Sequence, residues 1–497
     1  MVVPLLYLIL RALEADPGEL HGIVFRMRNL HLLGNTLALT ACVLAATTAM
    51  ALPLAWLVTR SDLRGRRIVA FLGVLPLAVP GYVMAYALIG LSGHQGFGSV
   101  VLGIPLPRLE GLVGATLALS LYTFPYLFLN LRAALLGMDP GLEESARSLG
   151  RSSFNTFLTV TLPHLRPAFA AGCLVVALYV LGDFGAIALM RYEVFSYAIY
   201  TQYAAAADRI YAAWLALMLL GLTAGFILIE SRVSRGRRYT RVGTGVGRRA
   251  ASAPLGRWRP LAWLFLLLVH GASLGLPALI LGYWLSLASA PIDIAQLGEV
   301  FLRSALAATP AALLAVTLAV PIVLLATRHA PGLGRLLYHL VYLGYATPPL
   351  AFALAMAFLA LTALPWAYQT LGLLILACTL HFLALTVGPV RTSLLQAGTR
   401  AEEAARSFGY DGLRAFLLVT LPRMRGAIVA GALLVFIMVV KELPITFLLA
   451  PAGYTTLATR VFSYTSEGML YEAAPHAALI VVFASFFVGL ILRYEGR

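Results

Sequence analysis

Residues 142–168 read LEESARSLGRSSFNTFLTVTLPHLRPA, and residues 401–427 read AEEAARSFGYDGLRAFLLVTLPRMRGA. The offset is constant at 259: Gly150 meets Gly409, Pro163 meets Pro422 and Arg166 meets Arg425. Self-similarity of this kind means that one unit is used twice, and the fold has to be read as a repeat. Further upstream, NTLALTACVLAATTAMALPLAWLVTR from Asn35 parallels RSALAATPAALLAVTLAVPIVLLATR from Arg303, with Pro53 matching Pro321.

What surrounds the repeat is apolar. Of 497 residues, 61% are hydrophobic and 11% charged, and the mean hydropathy is +0.88. Soluble domains run at about 45–50% apolar and about 25% charged, so the chain reads as an all-α polytopic membrane protein with little room for a water-soluble catalytic domain. Apolar runs place spans near 33–58, 68–91, 111–136, 167–190, 211–230, 261–286, 304–327, 336–361, 370–390, 426–450 and 474–492. The stretch Val2 to Leu10 makes a twelfth, truncated one: at about 1.5 Å per residue it crosses less than half of a hydrocarbon layer of about 30 Å. Either the first helix is short or the given start lies downstream of the true one. The resulting organisation is a first half over 1–230, an Arg-rich linker over 231–260 and a second half over 261–497, each half with six helices.

An even number of spans per half puts equivalent loops on one face. Arginines number 27 on the side of the duplicated loop and 8 on the other, and the positive-inside rule assigns the richer side to the cytoplasm. The net charge of +15 is thus topology, not a nucleic-acid footprint. Cys42, Cys173 and Cys378 sit singly in apolar runs and lack the spacing of a disulfide or metal framework. No cleavable leader is recognisable at the N-terminus.

Each duplicated loop lies between the fourth and fifth spans of its half and reads as helix, glycine, helix, Leu-Pro. Asp139-Pro140 starts the first piece, and Glu143 and Glu144 suit its positive N-terminal end. Gly150 breaks it, and Pro163 is expected to end the second piece. A short helix with small residues on a cytoplasmic loop is suited to docking.

Glu144, Ser145, Ala146, Gly150, Val160, Leu162 and Pro163, and again Glu403, Ala404, Ala405, Gly409, Val419, Leu421 and Pro422, resemble the EAA loop of ABC importer permeases. Ser145 for alanine is a small-for-small departure. The resemblance implies the type I permease fold and makes these loops, with Glu143 and Glu402, the coupling elements for two copies of a separate ATPase. It also implies an extracytoplasmic binding protein, a place in a bacterial inner membrane and lipid as the surrounding partner. The stretches GDFGAIALMRYEVFSYAIYTQY from Gly182 and KELPITFLLAPAGYTTLATRVF from Lys441 are similar to those of fused permeases of ferric-iron uptake. Permeases for thiamine, polyamine or phosphonate stay open as alternatives.

Away from the span ends, three charged residues fall inside the spans: Asp183, Lys441 and Glu442. Asp183 and Glu442 are again 259 apart. An ionisable group within a span costs about 2.5–3.5 kcal/mol at the bilayer centre and faces a cavity or a partner. Two readings stand side by side: a cation path or gate at the external mouth, or carboxylates that cap unwound backbone near DFG and ELP. The nine histidines show no HxxH or HxxxH spacing, so no metal ligands are picked, and no cofactor is expected. No G-x-x-x-x-G-K-[ST] phosphate loop is present, so ATP hydrolysis is expected of the partner subunits and not of this chain. A proton-coupled secondary transporter working through Asp183 and Glu442 is the rival class; an intramembrane enzyme lacks a convergent nucleophile, base or metal set.

Overall fold

A computed structural model describes residues 2–14, 16, 18, 22, 24–204, 209–234, 253–287, 292–329 and 331–495. Among them the backbone is helical apart from turns and one isolated parallel bridge between Ser61 and Ala253. Seven helices are long and apolar enough to cross a membrane, and four bent pairs bring the number to eleven if each pair is one span. The helix Val2–Leu13 stands beside these as a shorter apolar element. The expected spans are recovered by position, with the bends as the main correction.

The two sharpest bends fall at prolines. The expected span 68–91 is two pieces, Arg66–Ala78 and Gly81–Leu91, at 94°, and 336–361 is Gly332–Ala346 and Pro349–Ala363 at 109°. Val79 before Pro80 is extended, with φ −85° and ψ 114°. A proline clashes with helical backbone at the residue before it and removes an N–H donor, so the chain turns where an unbroken run of apolar residues predicts continuation. Beyond each bend the second piece is almost wholly buried, from Gly81 to Leu88 and from Leu350 to Phe358. These two helices are the cores of their surroundings.

The chain forms two compact units that are not the two sequence repeats. One comprises Met1–Arg26, Ala198–Leu220 and Ala288–Arg497; the other comprises Met27–Tyr197 and Gly221–Leu287. In the first unit, Val2–Leu13 lies on Pro349–Ala363 and buries Pro4, Leu8 and Ala12, one residue per turn along a single stripe. Trp214 Nε1 donates to the Ala12 carbonyl at 2.9 Å, closing its C-terminal end. In the second unit, Leu276–Ser286 packs on Gly81–Leu91. The approach is close at Gly90, where a Cβ would lie 2.6 Å from Trp284 Nε1 and 2.8 Å from Ile280. The leading helix of each sequence repeat therefore serves the core helix of the other.

Candidate functional site

The duplicated loop is built on a buried carboxylate. In the first copy, Asp139 caps the helix Pro140–Ser148 by accepting from Gly141 N at 3.0 Å, with Pro140 in the first turn. Helical phase then separates the adjacent acids. Glu143 turns inward and is 7% exposed, with Ala146 beside it also buried, whereas Glu144 is exposed. Glu143 Oε1 accepts from Thr161 Oγ1 at 2.9 Å and pairs with Arg60 Nε at 3.3 Å. Arg60 is the last residue of the long helix Met27–Arg60.

The second copy repeats this arrangement. Glu402 in the helix Arg400–Ser407 is buried, and Glu403 is exposed. Glu402 Oε2 accepts from Thr420 Oγ1 at 2.9 Å and from Arg328 Nη1 at 2.5 Å, and Oε1 accepts from Arg406 Nη2 at 3.3 Å. Burial raises the Glu402 pKa, but hydrogen bonds from Arg328 and Thr420 and the charges of Arg328 and Arg406 outweigh it, leaving the carboxyl below its ordinary value. Thr161 and Thr420 close matching widened turns, Phe157–Thr161 and Phe416–Thr420, with π-type hydrogen bonding. Such turns insert one residue into a helix and re-aim its side chains.

Both loop helices stop at a left-handed glycine, Gly150 at φ +84° and Gly409 at φ +90°. Arg151 N bonds the Ala146 carbonyl at 3.2 Å and Tyr410 N the Ala405 carbonyl at 3.3 Å, the pairing expected of a glycine-terminated helix. A Cβ at either glycine would meet nothing within 4 Å, so the requirement is backbone conformation and not space. The preceding residues, Leu149 and Phe408, are 83% and 84% exposed. Leu162 and Leu421 are half-buried, as are Pro163 and Ala405, while Pro422 is exposed. Pro163 does not end the second piece as expected: it lies in the first turn of Leu162–Gly182, where its missing N–H costs nothing.

Sequence reasoning missed Arg60, Arg328, Thr161, Thr420, Leu149 and Phe408. The signal was present, since Arg60 and Arg328 each follow the matched proline, Pro53 or Pro321, by seven residues.

One copy carries an extra element. Ala253 N donates to the Arg60 carbonyl at 2.7 Å and Asp62 N to the Ala253 carbonyl at 3.1 Å. Leu255 N donates to Asp62 Oδ1 at 2.9 Å, and Arg259 Nη2 to Asp62 Oδ2 at 2.7 Å. The end of the Arg-rich linker thus forms a strap along the residues that follow Arg60. In the second repeat the positions of Ser61 and Asp62 are taken by His329 and Ala330, and alanine offers no carboxylate for such a strap. Residues 235–252 of the linker lie outside the described residues.

The in-span acids sit at helix breaks. The helix Leu162–Gly182 stops before Asp183, whose Oδ1 accepts from Ala186 N at 2.9 Å and Ile187 N at 3.4 Å and whose Oδ2 accepts from Tyr122 OH at 2.9 Å. Helix Arg425–Val440 stops before Lys441, and Glu442, 5% exposed, accepts from Ile445 N and Thr446 N, each at 2.8 Å, and from Thr446 Oγ1 at 3.1 Å. The expected spans 167–190 and 426–450 are thus each interrupted at the acid, beside DFG and ELP, where one of the two sequence readings put unwound backbone. Backbone N–H groups released by a break inside a membrane need acceptors, and each carboxylate accepts from two of them, Asp183 through one oxygen and Glu442 through both. Lys441 is half-buried at the helix end. Tyr122 is a further residue not foreseen. Its counterpart 259 residues on is His381, buried with its ring 5.3 Å from that of Phe352 and 4.8 Å from that of Phe382. Among the described residues no three His, Cys, Asp or Glu side chains are placed to hold a metal ion.

Comparison with known proteins adds a family. Residues 48–238 and 319–494 match the profile of the family described as binding-protein-dependent transport system inner membrane component, once in each repeat. The whole chain is 30% identical to the Fe(3+)-transport system permease protein FbpB 2 of Haemophilus influenzae, covering 96% of that protein. Over 27% of the chain it is 34% identical to the molybdenum transport system permease protein ModB of Escherichia coli, covering 58% of it. Over an equal share it is 35% identical to the probable sulfate transport system permease protein cysT of Prototheca wickerhamii, covering 53% of that protein.

Proposed function

The chain belongs to the family of inner-membrane components of binding-protein-dependent transport systems, as a single polypeptide carrying two permease halves, and from that premise we propose that it passes ferric iron into the cytoplasm of a bacterium. Cargo arrives on an extracytoplasmic binding protein. Two copies of a separate ATPase seat on the duplicated loops, one on each. The observation that carries this reading is the loop pair itself: each presents an exposed acid, Glu144 or Glu403, and an exposed apolar residue, Leu149 or Phe408, on a helix fixed from beneath. An apolar knob flanked by charge is the composition of an interface centre with a polar rim.

Ferric iron is preferred among cargoes because the full-length likeness is to an iron permease, whereas the molybdenum and sulfate permeases match less than half of the chain. Asp183 and Glu442 act in this reading as a gate: each fixes the short helix after its break, Gly185–Leu189 or Pro444–Leu449, and so sets the shape of the path without holding the ion. The test is reconstitution with the candidate ATPase and binding protein. Binding protein loaded with ferric iron should stimulate ATP hydrolysis, and molybdate, sulfate or thiamine should not. Coupling that answers to one of the others overturns the cargo; transport without nucleotide or partner overturns the importer reading.

A further inference from the structure

We propose that Arg60–Glu143–Thr161 and Arg328–Glu402–Thr420 are the links through which movement of each docking loop reaches the membrane helices, the inner glutamates acting as positioning residues and the outer ones, Glu144 and Glu403, as the partner contacts. This rests on the reading of the loops as ATPase seats and assigns different work to two adjacent acids that the sequence does not separate.

The geometry has three parts. First, each inner glutamate joins three chain segments: the loop helix that carries it, the widened turn that supplies threonine, and the end of a long membrane helix that supplies arginine. In the first copy the side chains of Arg60 and Glu143 are only 7% and 9% exposed, so neither can face a partner. Second, the loop is otherwise short and glycine-ended, with a helix of nine residues in one copy and eight in the other. A push on it spends itself at the flexible glycine unless a second anchorage carries it inward. A buried ion pair with a hydrogen-bonded carboxylate is such an anchorage, because separating the partners strands a charge away from water.

Third, the two copies hold different grips. Glu402 takes Arg328 Nη1 at 2.5 Å, and the same guanidinium's Nη2 reaches the Gly398 carbonyl at 3.2 Å. Glu143 takes Arg60 through Nε at 3.3 Å, and Arg60 Nη2 is buried with no hydrogen-bond partner among the described residues. Arg328 is engaged through both terminal nitrogens, whereas Arg60 keeps a donor in reserve. A contact that occurs in two degrees of engagement on one backbone design is suited to changing between them.

The test uses the full chain with its ATPase subunits in nanodiscs. Cys42, Cys173 and Cys378 are replaced, and spin labels are placed at Leu102→Cys and Trp366→Cys, both exposed and on loops expected outside the membrane. The distance between labels is measured with and without ATP and vanadate. In the otherwise unaltered chain nucleotide should change that distance; if it does not, or if no ATPase is recovered, the importer reading itself fails. In Glu143→Gln with Glu402→Gln the ATPase should be recovered in full and the nucleotide-dependent change should be lost, with at least a tenfold fall in coupled transport. In Glu144→Gln with Glu403→Gln recovery of the ATPase should fall instead. A glutamine pair at the inner positions that moves normally overturns the proposal. So does one that loses the ATPase, because the inner acids would then fold or dock the loop and not drive through it. Thr161→Ser with Thr420→Ser, which keeps the hydroxyls, should retain the distance change.

Discussion

At Glu402 a single carboxylate is held in three directions, by Arg328, Arg406 and Thr420, and its pH response follows. Its folded value lies below the ordinary 4.5, so the carboxylate contributes stability that is fully present above the ordinary value and is lost as pH falls through the folded one. A spin label at Phe408→Cys should therefore keep one lineshape from pH 8 to pH 5 and sharpen only below that. Sharpening between pH 8 and 6 would contradict the assignment. Removing the charge outright is harsher. Glu143→Ala leaves Arg60 buried and unpaired, which costs about 3–5 kcal/mol, readable as a lowered midpoint in thermal unfolding of the detergent-solubilised protein. Gly150 and Gly409 fail differently: with open space around both, alanine should cost about 1–2 kcal/mol through left-handed backbone alone, and asparagine, which tolerates that region, should cost less. Equal losses for alanine and asparagine would mean that side-chain contact, not backbone, sets the requirement.

The element scale shows where the sequence was legible and where it was not. Apolar runs located the spans because hydrocarbon thickness dictates their length, and the constant offset located both loops. The turns at Pro80 and Pro348 were not visible, since proline is common in membrane helices and only neighbouring packing decides whether the helix kinks or folds back. Gly81 illustrates the packing: a Cβ there would lie 2.6 Å from Asp183 Oδ2 and 2.8 Å from the Tyr122 ring. Gly81→Ala should thus break the Tyr122–Asp183 contact and lower thermal stability, whereas Tyr122→Phe, which removes only one bond to a carboxylate, should cost about 1.5–3 kcal/mol. If Gly81→Ala is as stable as the parent, the approach of the two helices is looser than described. The adjacent glutamates are a subtler case. Composition names both, but which one faces inward depends on where the helix starts, and Asp139 and Pro140 fix that start.

For the whole molecule, the exchange of leading helices matters most. Hydropathy says that Val2–Leu13 is apolar; it says nothing about which repeat it serves. Because Pro4, Leu8 and Ala12 are buried in a unit made mainly of the second repeat, deleting residues 2–13 should destabilise that unit first. Limited proteolysis should then cut within 288–495 before it cuts within 27–197. Early cleavage in the other region would refute the exchange.

The strap at Ala253–Arg259 makes the surroundings of the two paired arginines unequal. Its contacts fall on the residues after Arg60, and the matching site after Arg328 has an alanine in place of Asp62. A tandem duplication written into one reading frame is free to drift apart, and here the drift has reached the residues that follow the paired arginines. Under the proposed reading, two ATPase copies seated on these loops would not share one environment, so their turnover need not be simultaneous, and grafting the first loop's surroundings onto the second would yield a machine with a different stroke.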